Sequence, residues 1–378
     1  MKEISIIVPI YNVEKYLRTC FESLINIDFD SYEVLAINDG SPDNSIEIMK
    51  EYQKKYPELI KIIDKENGGY GSVLERAIKE IESPYFIICD PDDTLNKNAL
   101  SVLYKLIKEN DCDIAVGAKT LFYEDSDERN YDQSFNSKFV SLKNEHVYLK
   151  GNKDFNDLYF LDPSPHSKLY KRSLALNIVF PKKVSYTDNL LFYICLNNSN
   201  SVIYTNEALA NYLINRSGNT MTDLSLGAMQ KQIFVFGSII EESKKCENVP
   251  DMFYYRMFES FKYLWSIADR TKANKEEFSD VLNRLETFLI SIDNYSKKII
   301  PLYKEYSHRP ILEKINDLKL LNIKKEAKTY NKLKTKKINN FIEKLWLKII
   351  FIYMAYRLYP DKAFLLNDSI IVFKILAL

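Results

Sequence analysis

Along the first 120 positions, short β-branched runs alternate with stretches whose apolar residues recur at helical spacing. Residues 4–9 form the first such run, broken by Tyr11-Asn12, after which Tyr16, Leu17, Cys20, Phe21 and Leu24 repeat with a helical period over 13–25. The same alternation predicts strands over 32–39, 60–64 and 84–89, and helices over 45–56 and 72–81. A helix over 99–109 and a strand over 113–117 continue it. This β-α-β-α-β-α-β order implies an α/β domain with a parallel sheet and right-handed crossovers, in which ligands bind beyond the carboxyl ends of the strands. Further on the pattern thins. Residues 124–136 read as a polar loop or hairpin, Val140-Ser141-Leu142 and Val147-Tyr148-Leu149 as two short strands that pair, 163–172 as a loop leading into basic residues, and 190–196 as a helix. From about residue 224 long helical patterns take over at 227–245, 252–270, 275–290 and 303–320. The division expected is a sheet domain over 1–222 and a helical C-terminal domain over 223–378.

Composition narrows the class. The 378 residues carry 52 basic and 52 acidic side chains, so nothing draws the chain as a whole towards nucleic acid. Cys20, Cys89, Cys112, Cys195 and Cys246 are scattered without a C-x-x-C pair, which reads as reduced thiols in the cytoplasm, with no disulfide framework or zinc site. The start of the sequence reads as a strand and does not resemble a secretory signal, and no run of apolar residues is long enough to predict a spanning helix. Residues 324–348 hold nine lysines against Glu326 and Glu343 and run into an apolar stretch containing Trp346. Two readings fit 324–358: an interfacial helix giving peripheral contact with an anionic membrane, or a core helix with a solvated lysine stripe. The helical part also suits self-association or a partner enzyme.

The strand at 84–89 runs into Asp90-Pro91-Asp92-Asp93. Three carboxylates in four residues repel one another unless a divalent cation sits among them; the plainer reading is a turn in which Asp90 caps the next helix. Asp39 also ends a strand, where it can cap a helix or accept a hydrogen bond from the imide of a nucleotide base. Tyr11 can pack, or serve as a platform for a base. The Gly68-Gly69-Tyr70-Gly71 turn permits close backbone approach but fits no phosphate-loop pattern. Asp188 opens a helix and reads as an N-cap or a general base. His166 and Lys168 belong to a solvated loop or to a diphosphate or acceptor site. Arg216 and Thr220 lie in a polar turn suited to neutralising a departing diphosphate.

Taken in order, Val8-Pro9-Ile10-Tyr11-Asn12, Asn38-Asp39-Gly40-Ser41-Pro42-Asp43, Glu66-Asn67-Gly68-Gly69, Asp90-Pro91-Asp92-Asp93, Lys168-Leu169-Tyr170-Lys171-Arg172-Ser173-Leu174 and the Asp188 segment resemble the bacterial family 2 glycosyltransferases over about residues 1–222. The resemblance implies a Rossmann-like GT-A fold, a nucleotide-sugar donor, Mg²⁺ or Mn²⁺, and inversion. It places Tyr11 and Asp39 on the base, usually uracil, with Pro9, Asn67 and Gly68 in the same donor motifs. It makes Asp90 and Asp92 the D-x-D pair for ribose and metal with Asp93 beside them, Asp188 the catalytic base, and Lys168 and Arg216 neighbours of the donor. Three positions depart from the family pattern: Val73-Leu74-Glu75 replaces Ala-Arg-Asn, Thr187 replaces the acid before Asp188, and His166-Ser167 replaces an aromatic residue.

The activity expected is a single in-line displacement from a UDP-sugar to a hydroxyl of a cell-envelope glycan, or of a lipid-linked or protein-linked acceptor. The rivals are a catalytically weakened scaffold for a transferase complex and a nucleotidyltransferase. The second would want a basic triphosphate loop near the first strand, where Tyr11-Asn12-Val13-Glu14 supplies none.

Overall fold

The computed structural model describes residues 1–214, 216, 225–268 and 275–306. Strand β1 (Ile4–Ile10) is buried along its whole length. It is flanked in parallel by β2 (Tyr32–Asp39) and β4 (Tyr85–Ile88), and β3 (Ile60–Lys65) extends the sheet beyond β2. The connecting helices α1 (Glu14–Ile25), α2 (Ser45–Lys55) and α3 (Tyr70–Glu80) return the chain between parallel strands. Helix α1 turns Leu17, Cys20, Phe21 and Leu24 inward, the helical stripe seen in the sequence.

On the other side of β4 the sheet changes character. Strand β9 (Lys168–Lys171) is inserted antiparallel between β4 and β6 (Ile114–Tyr123), and β10 (Ser201–Ile214) runs parallel to β6. The short β5 (Thr94–Leu95) pairs antiparallel with β10. The sheet is therefore mixed, with the parallel order β3-β2-β1-β4 forming one half. Residues 124–136 contain β7 (Ser126–Asp132), which folds back on β6 as a hairpin. The pairing expected between 140–142 and 147–149 does not form. Instead β8 (His146–Leu149) pairs with β10, whose backbone supplies a longer partner. The basic segment read as a loop exit is the central strand β9.

Helix α4 (Ala99–Asn110) precedes β6, and α5 (Thr187–Asn198) is buried on nearly every side, so its residues show no polar stripe. Helices α6 (Leu226–Ser243), α7 (Asp251–Ala268), α8 (Lys275–Asp293) and α9 (Ser296–Tyr306, with Pro301 inside) follow. Arg256 Nε donates to the Tyr159 carbonyl at 3.0 Å, and Glu242 accepts from the Val179 amide at 3.3 Å. These bonds tie α7 and α6 to the segments before and after β9, and the described residues all belong to one compact unit. Most of the helix expected over 303–320, and the lysine-rich segment 324–358, lie outside the described residues. Among the described residues no helix is long and apolar enough to cross a membrane.

Candidate active site

Because β1, β2 and β4 are parallel and in register, their carboxyl ends release Tyr11, Asp39 and Asp90 at one edge of the sheet. Pro9 lies opposite Ile37 in that register, and Tyr11 beyond it is 51% exposed. Asp39 is buried. Its Oδ1 accepts the Gly68 amide at 2.9 Å and its Oδ2 the Gly69 amide at 2.8 Å, while Lys65 Nζ forms an ion pair with Oδ1. Asp39 thus shapes the glycine turn that follows Asn67.

That turn in turn places the next segment. Gly69 adopts φ +84°, and a Cβ there would come within 2.8 Å of the Lys183 amide nitrogen. The Lys183 amide donates to the Gly68 carbonyl at 2.7 Å. A Cβ on Gly71 would meet the Pro181 carbonyl at 2.9 Å and Thr187 Cγ2 at 3.1 Å. Residues 180–187 therefore lie against the start of α3, which carries Asp188 to the acidic turn. Just before it Tyr186 holds φ 69°, a strained conformation for a bulky side chain. Asp188 is not the helix cap; it sits in the first turn of α5.

The acids at the end of β4 each have a partner. Tyr70 OH donates to Asp90 Oδ1 at 2.8 Å. Asp92 pairs with Arg216 Nε, and the Arg216 guanidinium lies 5.4 Å from the Tyr16 ring centroid. Asp93 is buried, with Oδ1 accepting the Leu213 amide at 2.7 Å and Oδ2 2.6 Å from His166 Nε2. The His166 ring packs on Tyr212 at 4.2 Å between centroids. Burial, then the neighbouring carboxylates, pushes Asp90 and Asp93 well above the usual carboxylate range. Burial, then Lys119 and Lys168, pushes His166 well below its ordinary value.

Ligand atoms of Asp90, Asp93 and His166 all lie within 4.8 Å of one another. Two carboxylates that resist sharing negative charge, beside an imidazole nitrogen, suit a divalent cation such as Mn²⁺. Of the three expected metal ligands, Asp90 and Asp93 fall in this group and Asp92 is taken by Arg216.

Asp188 is pushed up to about 6 by burial, with Asn189 Nδ2 donating to its Oδ1 at 3.3 Å. Its charge acts on both Tyr70 and Asp90, so Asp188 and the acidic turn share one site. Lys168 departs from expectation. It is fully buried, its Nζ donates to the carbonyls of Ser164 (2.6 Å) and His166 (3.3 Å), and burial followed by Lys119 lowers it to about 7. It braces the loop before β9 and does not line an open crevice. His166, too, is a buried partner of Asp93 and not part of a solvated loop. Tyr70 and Lys65 were not foreseen. Tyr70 directly follows the Gly68-Gly69 pair, and that adjacency is the only signal the sequence carries for it.

Comparison with known proteins bears on the family and the fold. Residues 5–178 match the family described as Glycosyl transferase family 2, and the chain carries a family 2 glycosyltransferase domain. The minor teichoic acid biosynthesis protein GgaB of Bacillus subtilis (strain 168) is 26% identical over 312 residues, covering 77% of this chain and 33% of that protein. The glycosyltransferase GlyG of Streptococcus pneumoniae serotype 4 is 26% identical over 292 residues, covering 75% of this chain and 95% of that protein. Among solved structures, S. aureus TarS 1-349 in complex with UDP-GlcNAc superposes with a TM-score of 0.62 at 22% identity, over 86% of this chain and 92% of that one. At that identity the likeness establishes the GT-A-like fold.

Proposed function

We propose that the protein moves a sugar from a UDP-linked donor to a hydroxyl of a cell-envelope glycan, with a divalent cation and with inversion. One observation carries this reading: a carboxyl held near 6, Asp188, stands beside a buried cluster of acids at the edge where the exposed Tyr11 emerges. The UDP-GlcNAc bound by TarS and the teichoic acid role in the name of GgaB support the donor and acceptor classes.

The residues divide the work as follows. Tyr11 stacks on the base. Asp39 already accepts three donors, and a carboxylate offers about four acceptor positions, so one on Oδ2 remains for the imide N–H of uracil. Asp90, Asp93 and His166 would hold the cation, and Tyr70 keeps Asp90 in place. A bound cation supplies positive charge that stabilises the departing diphosphate. Arg216, poised beside Asp92, adds a second positive group. Asp188 takes the proton from the attacking hydroxyl; near 6 it is ionised at neutral pH yet more basic than an ordinary carboxylate. Peripheral membrane attachment through 324–358 would bring this site to a lipid-linked acceptor, and co-sedimentation with anionic liposomes of the full chain against a chain ending before Lys324 tests that part.

The test is UDP release by the purified full chain from a panel of UDP-sugars, with Mn²⁺, with Mg²⁺ and with chelator. Metal-dependent release that Asp188→Asn removes is the outcome expected. No release from any donor with either metal, or release unchanged in Asp188→Asn, would refute the proposal.

A further inference from the structure

A second polar site lies at the opposite end of the sheet. Strands β6 and β10 begin there and β9 ends there, so Asp113, Lys171 and Asn200 sit at the edge remote from Asp90. With the carboxyl ends of α5 and α6 they line a half-open cavity of about 730 Å³. That is within the range of roughly 300–1,000 Å³ typical of small-ligand sites.

The charges in its wall balance in number: Asp113, Glu242 and Glu247 against Lys150, Lys171 and Lys245. Lys171 Nζ reaches Asp113 Oδ1 at 3.1 Å, and Lys245 reaches Glu242 at 2.7 Å. The other Asp113 oxygen accepts the Asn200 amide at 2.8 Å. Lys150 Nζ donates to the carbonyls of Asn197 (2.5 Å) and Glu247 (3.1 Å), and burial lowers its pKa. An anion or a cation entering the cavity therefore meets a lining of no net charge.

Four uncharged side chains stay open for hydrogen bonding. The side chains of Ser173, Asn177, Asn200 and Asn248 line the cavity without a hydrogen bond to another described residue. Amides and a hydroxyl both donate and accept, as sugar hydroxyls do. Leu174, Ile178 and Ile194 also line the cavity, but each is buried and offers little apolar surface. Behind them Asn197 Oδ1 accepts from Tyr159 OH at 2.7 Å, leaving its buried Nδ2 without an acceptor. The wall thus holds one donor more than it satisfies.

We propose that this cavity is a second, non-catalytic binding site for an uncharged saccharide unit. Asn197 follows Asp188 by nine positions of α5, which at about 1.5 Å per residue puts these two residues about 14 Å apart along the helix. The inference stands on the cavity alone and does not require the transferase reading.

The full chain labelled with ¹⁵N-asparagine, titrated with N-acetylglucosamine and cellobiose and separately with phosphate and glycerol 3-phosphate, reports directly on Asn177 and Asn200. Saturable shifts of their side-chain amide signals by a neutral sugar, and not by the anions, are expected. Ser173→Trp, introduced at an exposed position to fill the mouth, weakens that binding about tenfold or more. Asn177→Ala, also exposed, weakens it without adding bulk. UDP release stays at the wild-type rate in both variants. The proposal is overturned if no neutral sugar moves these signals, if both variants bind as the wild type does, or if only the anions bind.

Discussion

If Asp188 is the base we propose, replacing it by Asn should remove activity and raise stability, because burial acts against its charge. A carboxyl ordinarily at 3.8 stands at about 6 here. At about 1.4 kcal/mol for each tenfold change, the fold disfavours the ionised form by about 3 kcal/mol at neutral pH. Asp188 keeps some contact with solvent, so the realised figure is about 1–3 kcal/mol. The native state binds this proton more tightly than the unfolded chain does. Stability from this group is therefore full below about pH 4, falls as pH rises through 6, and stays low above. An amide in the same place carries no such cost. Asp188→Asn is expected to melt several degrees above the wild type at pH 8, on the order of 2–4 °C per kcal/mol, and level with it at pH 4. Turnover at saturating donor falls by about 10²–10⁴, the usual contribution of a general base. Wild-type turnover falls about tenfold from pH 7.5 to pH 5, where most of the carboxyl is protonated. Melting curves by differential scanning fluorimetry and initial rates of UDP release measure both. A variant that melts lower than the wild type at pH 8, or that keeps its turnover, refutes the reasoning.

Gly69→Ala forces a Cβ against Lys183 N at φ +84°; it should raise the donor KM and lower stability by about 1–3 kcal/mol, read from initial rates and urea unfolding. Tyr70→Phe removes the donor to Asp90, and a lost bond to a charged acceptor of about 1.5–3 kcal/mol should weaken Mn²⁺ affinity about tenfold or more in a metal titration. His166→Leu leaves a buried oxygen of Asp93 without its partner, and unfolding should cost about 1–3 kcal/mol less than in the wild type.

The parallel half of the sheet was legible because β1, β2 and β4 are apolar runs that end on polar residues, and α1 to α3 keep a clear stripe. The antiparallel half hid itself. Strand β9 begins with Lys168, an unlikely core residue, which folds inward only because the carbonyls of Ser164 and His166 receive its ammonium. Strand β10 is interrupted by Thr205, Asn206 and Glu207, where the register with β6 shifts in a bulge, so its two apolar pieces do not read as one strand. At the site, Tyr11, Asp39, Asp90 and Asp188 announced themselves as strand-end or helix-start chemistry. The bonds from Tyr70 to Asp90 and from His166 to Asp93 join residues 20 and 73 positions apart, and no local pattern encodes them.

The insertion of β9 between β4 and β6 also governs how the chain assembles during synthesis. The strand that carries the acidic turn gains its second neighbour only when the chain has grown from Ile88 to Lys171. Until then a nascent chain with β1 to β4 in place exposes one flank of β4 as a row of unpaired amides and carbonyls. Such distant pairing slows the final closure, and a fragment ending before Lys168 presents a sticky edge to its own copies on the ribosome.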